Sequence, residues 1–410
     1  MKFCIFLGIV ELKYFLYCFL SVILYIYIYY FIVDSEEENI INKHELLYSS
    51  CYFLGYFLNI IPAWIAQIKS KKKEKPSTNK MKERETQSIE YIYNNPYDKY
   101  FSIKDILKFF FICLILLLID AIESTISVIE NKKENKNENK KKYDDDFIII
   151  EYLIIFLFSK YDKEVYYKHQ NISFLILILV EAFKTIYFFI KANSYGISDI
   201  IIIILVLLNS ILYSIFYLYI KGLMKYNFIS PYKCNYMVGI INAPLIIIIY
   251  IIISFTPLGE EDNYYYFDNI FELFKKGKSD TKNIIFLISL PFAYGILLSI
   301  LNKIIYEYTI YHIYIPILIE YFIQNIIKNL EIVENIILIS SFVAELIMIL
   351  VFVEIIEIKC CGLDENLKRN IELRGYSEWS LNIVPDIVPD DDDYDNDDFD
   401  DRNSLNDTNK

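Results

Sequence analysis

The chain has 410 residues, 55% of them apolar and 23% charged, and a formal net charge of −13. That sign argues against nucleic acid as a partner, although much of the charge sits in one aspartate-rich stretch, residues 386–401. Seven cysteines without a CxxC pair, and three histidines (His44, His169, His312) without an HExxH pattern, give neither a disulfide framework nor a metal site. Length alone would suggest two or three soluble domains, but apolar residues fill runs of about 20, enough for a helix to cross roughly 30 Å of hydrocarbon.

The first run, residues 14–33, is too long for a signal-peptide core. It is followed by acidic residues at 34–38 instead of a small-residue cleavage site, so it reads as an uncleaved helix. The second, 46–68, ends against Lys69-Ser70-Lys71-Lys72-Lys73, a cytosolic flank by the positive-inside rule. Further runs cover 106–129, 147–158 (short), 172–190, 197–220, 237–255, 284–301, 310–327 and 336–356. Between them, residues 69–104 and 131–146 are polar and low in complexity, and the tail 359–410 is acidic. These segments bury too little apolar surface to fold alone and read as disordered. The pattern predicts an all-α, polytopic membrane helical bundle of about ten transmembrane helices over residues 1–358, with a disordered acidic cytosolic tail. With both termini cytosolic, most Lys and Arg fall on the cytosolic side; the lysine-rich loop 131–146 is the exception.

Ionisable groups inside apolar runs are the informative residues, because a lone charge at the bilayer centre costs roughly 3 kcal/mol or more. They are Asp120, Glu123, Glu151, Glu181, Lys184, Glu320 and Glu345. Glu181 and Lys184 share a helix face three residues apart, and form either an internal ion pair or a substrate-site or gating pair. Asp120 and Glu123 also share a face. There, two acids favour holding a proton or a cation, unless Glu123 lies at the solvated interface. Glu320 and Gln324, four apart with Asn325 beside them, form one polar face fit for a cavity or for hydrogen bonds between helices. Gly55, Pro62, Pro244, Pro291, Gly295 and Pro316 lie within or near spans, either as ordinary helix breakers of membrane helices or as interruptions of the kind that line transport cavities. Cys360-Cys361 are candidates for palmitoylation or plain free thiols. The sequons at Asn171 and Asn406 fall on the cytosolic side and should go unused. With no GxxxxGK, no dinucleotide fingerprint and no hydrolase pattern, no catalytic residue, cofactor or metal ligand is assigned, and an enzyme is not expected.

Three stretches together resemble the drug/metabolite transporter superfamily, in its solute-carrier-35-like and EamA-like branch: Leu54-Gly55-Tyr56-Phe57-Leu58, Leu118-Ile119-Asp120-Ala121, and the region Asp199–Gly239, with Tyr213-Ser214-Ile215-Phe216 leading to Lys221, then Phe228-Ile229-Ser230-Pro231, then Gly239. The resemblance implies two inverted five-helix repeats around a central cavity and alternating access for a small polar metabolite, nucleotide-sugar-like or related. It departs from the family in having only ten glycines and in Tyr56, where relatives carry an acid. The expected cavity residues are Asp120, Glu181, Lys184, Glu320 and Gln324, with Lys184 facing an anionic group and Asp120 carrying a proton. The expected partners are a small-molecule solute, the lipid bilayer and a second copy of the chain as a homodimer. The expected location is an endomembrane: Golgi, endoplasmic reticulum or vacuole. The rival expectation is a non-transporting membrane scaffold whose acidic tail recruits a cytosolic partner.

Overall fold

Within lipid a backbone amide finds no water, so a long apolar segment must satisfy its hydrogen bonds internally, as a helix. The computed structural model describes residues 2–5, 9–37, 45–73, 103–134, 148–161, 167–191, 197–226, 229–257, 281–327, 332–359 and 367. They form ten helical segments in chain order. These are α1 (Ile9–Glu37), α2 in two pieces (Glu45–Leu58 and Ile60–Lys73), α3 (Ile103–Glu134), α4 (Ile148–Tyr161) and α5 (Lys168–Lys191), then α6 (Ile197–Tyr226), α7 (Pro231–Ser254), α8 (Thr281–Glu307), α9 (Tyr314–Ile327) and α10 (Ile332–Phe352).

Among the described residues, five segments are long and apolar enough to cross a membrane: Leu46–Ala66, Phe109–Ile129, Ile200–Lys225, Pro231–Ser254 and Ile288–Glu307. Leu12–Ile28, Ile310–Ile323 and Ile339–Phe352 are shorter apolar helices. The outer surface is greasy, with Leu16, Phe19, Leu118, Leu179, Ile204 and Ile252 each more than half exposed. A water-soluble fold does not present such a surface; a helical membrane protein does.

Of the ten expected spans, five are thus long and apolar enough among the described residues, and the helices also differ from expectation at their ends. α2 and α3 extend into the polar segments expected to be disordered, as far as Lys73 and Glu134. The remainder of those loops, Cys360, Cys361, Asn406 and the aspartate run lie outside the described residues. α7 starts at Pro231, six residues before its apolar run. Ser230 accepts a hydrogen bond from the Lys233 amide and Pro231 occupies the first turn, where its missing N–H is no loss. The run 310–327 opens as a tight 3-10 turn, Ile310–Ile313, before α9. α2 breaks at Asn59. Pro62 has no amide to offer the Leu58 carbonyl, so the ladder is interrupted one turn earlier.

Two short strands were not expected. Lys2–Ile5 pairs antiparallel with Ile356–Lys359, Lys2 opposite Lys359, so the chain segments before α1 and after α10 meet at one end of the bundle. α10 closes just before this ribbon. Glu354 takes the left-handed conformation (φ 65°), its amide bonds to the Val351 carbonyl, and the Ile355 amide reaches back to Leu350 at 2.9 Å.

In the interior α2 packs against α7 and α8, α3 against α6 and α7, and α1 against α8 and α9. α4 lies on α6, and α5 on α10. The tightest crossings use glycine. A Cβ on Gly239 of α7 would lie 2.1 Å from the Phe57 amide nitrogen of α2, and one on Gly55 would lie 2.6 Å from the Cβ of Tyr294 on α8. The Asn59 break sits inside this crossing. Its amide nitrogen donates to the carbonyls of Gly55 (3.0 Å) and Gly295 (3.1 Å), and its side-chain oxygen accepts from Asn235 (3.2 Å) and from Ser299. Asn302 in turn donates to Asn235. A buried polar knot therefore pins α2, α7 and α8 together.

Candidate functional site

Four helices leave a polar cavity of about 390 Å³ between them. α2 contributes Tyr48, Ser49 and Tyr52; α3 contributes the apolar Leu116 and Ile119 beside Asp120, Glu123 and Ser124; α6 contributes Tyr213 and α8 Tyr294. Helical spacing explains the set: Tyr48 and Tyr52 stand four apart on one face of α2, and Asp120, Glu123 and Ser124 share a face of α3. Ser49 donates to Asp120 Oδ1 at 2.5 Å. Glu123 accepts from Tyr213 at 2.9 Å and from Asn209 at 3.1 Å, both on α6. The two acids are thus held by different neighbours, Asp120 by α2 and Glu123 by α6. Among the described residues no Lys or Arg lines this space.

The polar region continues past the cavity through tyrosines. Tyr217 lies within electrostatic reach of Glu123, Glu151, Tyr52 and Tyr25. Tyr25 on α1 lies within reach of both Glu151 and Glu320. Tyr314 of α9 donates to Glu151 Oε2 at 3.4 Å. Of the expected cavity residues Asp120 and Glu320, Asp120 lines the cavity and Glu320 does not. Glu151 and Glu123 were left out of the cavity set by the sequence reading; Glu123 lines the cavity, and Glu151 accepts from Tyr314. Their signal was present as acids inside apolar runs; what the sequence lacked was the partner tyrosines on α6 and α9.

Glu181 and Lys184 occupy a different place, between α5 and α10. The Lys184 ammonium lies 3.1 Å from Glu181 and 3.6 Å from Glu345 of α10, and all three side chains are buried. Lys184 faces two carboxylates of its own chain there, and neither it nor Glu181 lines the polar cavity. Gln324 falls in α9, but its side chain lies outside the described residues. Among the described residues no group of three His, Cys, Asp or Glu is placed to hold a metal.

Fold and cavity together define the class: a polytopic helical membrane protein with an acidic, tyrosine-lined interior. No protein-family model matches the sequence, and no curated protein matches it.

Proposed function

We propose that the chain is a solute transporter of the drug/metabolite type, moving a small polar metabolite across an endomembrane by alternating access, with both termini in the cytosol. The observation that carries the reading is the 390 Å³ polar cavity, lined from α2 and α3 in one half and from α6 and α8 in the other. A site between two halves is what rocking of those halves would expose to each side in turn.

The helix contacts support a two-repeat plan. Exchange each helix of α1–α5 for its counterpart in α6–α10. The contact α2–α8 then becomes α7–α3, α3–α6 becomes α8–α1, α4–α6 becomes α9–α1, and α4–α5 becomes α9–α10. Each counterpart is present. Five helices per repeat would make the repeats antiparallel in the membrane, and the ribbon joining residues 2–5 to 356–359 agrees with an even number of crossings.

Charge narrows the solute. Asp120 and Glu123 line the cavity with hydroxyls and, among the described residues, without a cation, which favours a neutral or positively charged polar solute over a phosphate-bearing one. The test is uptake of radiolabelled spermidine, choline and UDP-glucose into proteoliposomes. Uptake of a cationic probe should exceed that of UDP-glucose and fall about ten-fold or more in Asp120→Asn. No uptake above protein-free vesicles, or uptake indifferent to Asp120→Asn, rejects the reading. The scaffold alternative is favoured by one observation, the pairing of Lys184 with Glu181 and Glu345 of its own chain, and it predicts the first of those rejecting results.

A further inference from the structure

A second cavity, of about 430 Å³, opens sideways between α1, the second piece of α2 and α8. Its walls are apolar and face outward: Leu20, Ile61, Ile65 and Ile296 are each between about a third and just over half exposed. Its lining on α8 runs from Phe292 to Lys303, about 16 Å at the rise of a helix. One end is different in kind. There the Lys303 ammonium sits 5.2 Å from the ring centre of Tyr232 and 5.8 Å from that of Tyr17. Lys13 stands on the other side of Tyr17, at 5.6 Å.

Among the described residues this end holds two lysines and one carboxylate. Glu307 is the carboxylate within reach, and Lys13 holds it at 2.6 Å. Among the described residues Lys303 forms no ion pair, and it is only four residues from the end of the membrane-spanning part of α8. The groove is thus apolar along most of its walls and positive at one end, close to the end of the apolar stretch of α8.

From this arrangement we infer that the groove is a binding site for an anionic glycerophospholipid, its phosphate-bearing head at Lys303 and one acyl chain along Ile296, Ile65 and Ile61. Two tyrosine rings hold the ammonium at headgroup depth, where Tyr suits the boundary between lipid and water. The volume lies within the roughly 300–1,000 Å³ of sites that hold small ligands. The floor adds a consequence. Asn59, Gly295 and Ser299 line this groove and also belong to the knot joining α2, α7 and α8, so a bound chain rests on the joint itself. The inference needs the protein to sit in a membrane but does not depend on transport.

The test is native mass spectrometry of the full chain in neutral detergent, titrated with phosphatidylserine and phosphatidylcholine of matched acyl chains. Phosphatidylserine should be retained about five-fold more than phosphatidylcholine, the preference expected of one interfacial lysine. Lys303→Gln should abolish that preference and Lys303→Arg should keep it. Ile296→Trp, which fills the groove without touching charge, should lower retention of both lipids. Glycerophosphoserine, the head without chains, should not compete. Equal retention of the two lipids by the unaltered chain, or an undiminished preference in Lys303→Gln, overturns the site. Effective competition by glycerophosphoserine would make it a free-anion site instead. If Lys303→Gln elutes as aggregate, Ile296→Trp decides: retention unchanged from the unaltered chain overturns the site.

Discussion

Replacing Gly239 by alanine adds one methyl group where two helix backbones touch. Its Cβ would lie 2.1 Å from the Phe57 nitrogen, 2.4 Å from the Phe57 Cα and 2.6 Å from the Tyr56 carbonyl carbon. All three are backbone atoms, so no rotamer change relieves the clash. Ordinary contact begins near 3.4 Å, and α2 and α7 would have to part by about 1.3 Å. Overpacking of this kind costs about 3 kcal/mol at the upper end of its usual range. Alanine's better helix propensity returns about 1 kcal/mol, leaving a net loss of about 2 kcal/mol. Gly222 in α6 supplies the control, because a Cβ there meets nothing within 4 Å. Gly222→Ala should therefore gain about 1 kcal/mol from propensity alone. Comparing the two variants cancels propensity and isolates the crossing, a difference of about 3 kcal/mol. The assay is thermal unfolding of both variants in detergent, followed by circular dichroism. Gly239→Ala should unfold several degrees below the unaltered chain and Gly222→Ala at or above it. Equal unfolding temperatures for the two variants would refute the close approach of α2 and α7.

Two other perturbations test buried charge and backbone strain. Lys184→Met leaves Glu181 and Glu345 facing each other without their shared cation and should destabilise the chain by about 3–5 kcal/mol; adding Glu181→Gln and Glu345→Gln should restore most of it, and failure of that rescue in a denaturation series would show that the lysine acts through something other than these acids. Glu354 holds a left-handed backbone that glycine adopts freely, but its carboxylate also lies 3.2 Å from His169. In a His169→Gln background, where that contact is already gone, Glu354→Gly should raise stability by about 1 kcal/mol, and a fall in the unfolding midpoint would contradict the strain at this turn.

Which parts of this molecule were legible follows from the range of each signal. Helix positions depend on runs of neighbouring apolar residues, and runs such as Ile200–Ile204 announced α6 directly. The start of α7 was equally local, written in Ser230-Pro231. An apolar-run criterion passes over it, because Lys233 and Asn235 dilute the first turns. The bend in α2 was half legible: Pro62 marks a weakness, but Asn59 bends because Gly295, Asn235 and Ser299, from 176 to 240 residues away, grip its side chain. The acids of α3 stood out in sequence, whereas Tyr213 and Asn209, which hold Glu123, lie 86 to 90 residues further on and carry no mark of that role. The pairing of Glu181 with Lys184 could be read from helical spacing. The third member, Glu345, could not, since nothing in α5 says which helix will lie against it.

The ribbon between residues 2–5 and 356–359 gives the chain a clasp. Without it, the covalent link between the first five helices and the last five is the single stretch between α5 and α6. With it, α1 and α10 are fastened together as well, and the bundle becomes a closed ring of helices with two junctions instead of one. Any swing of one half against the other must then pivot with both junctions in place or unzip the four-residue strands. In the transporter proposed above, the backbone pairing of those strands, at a spot far from the cavity in sequence, would limit how widely the halves open.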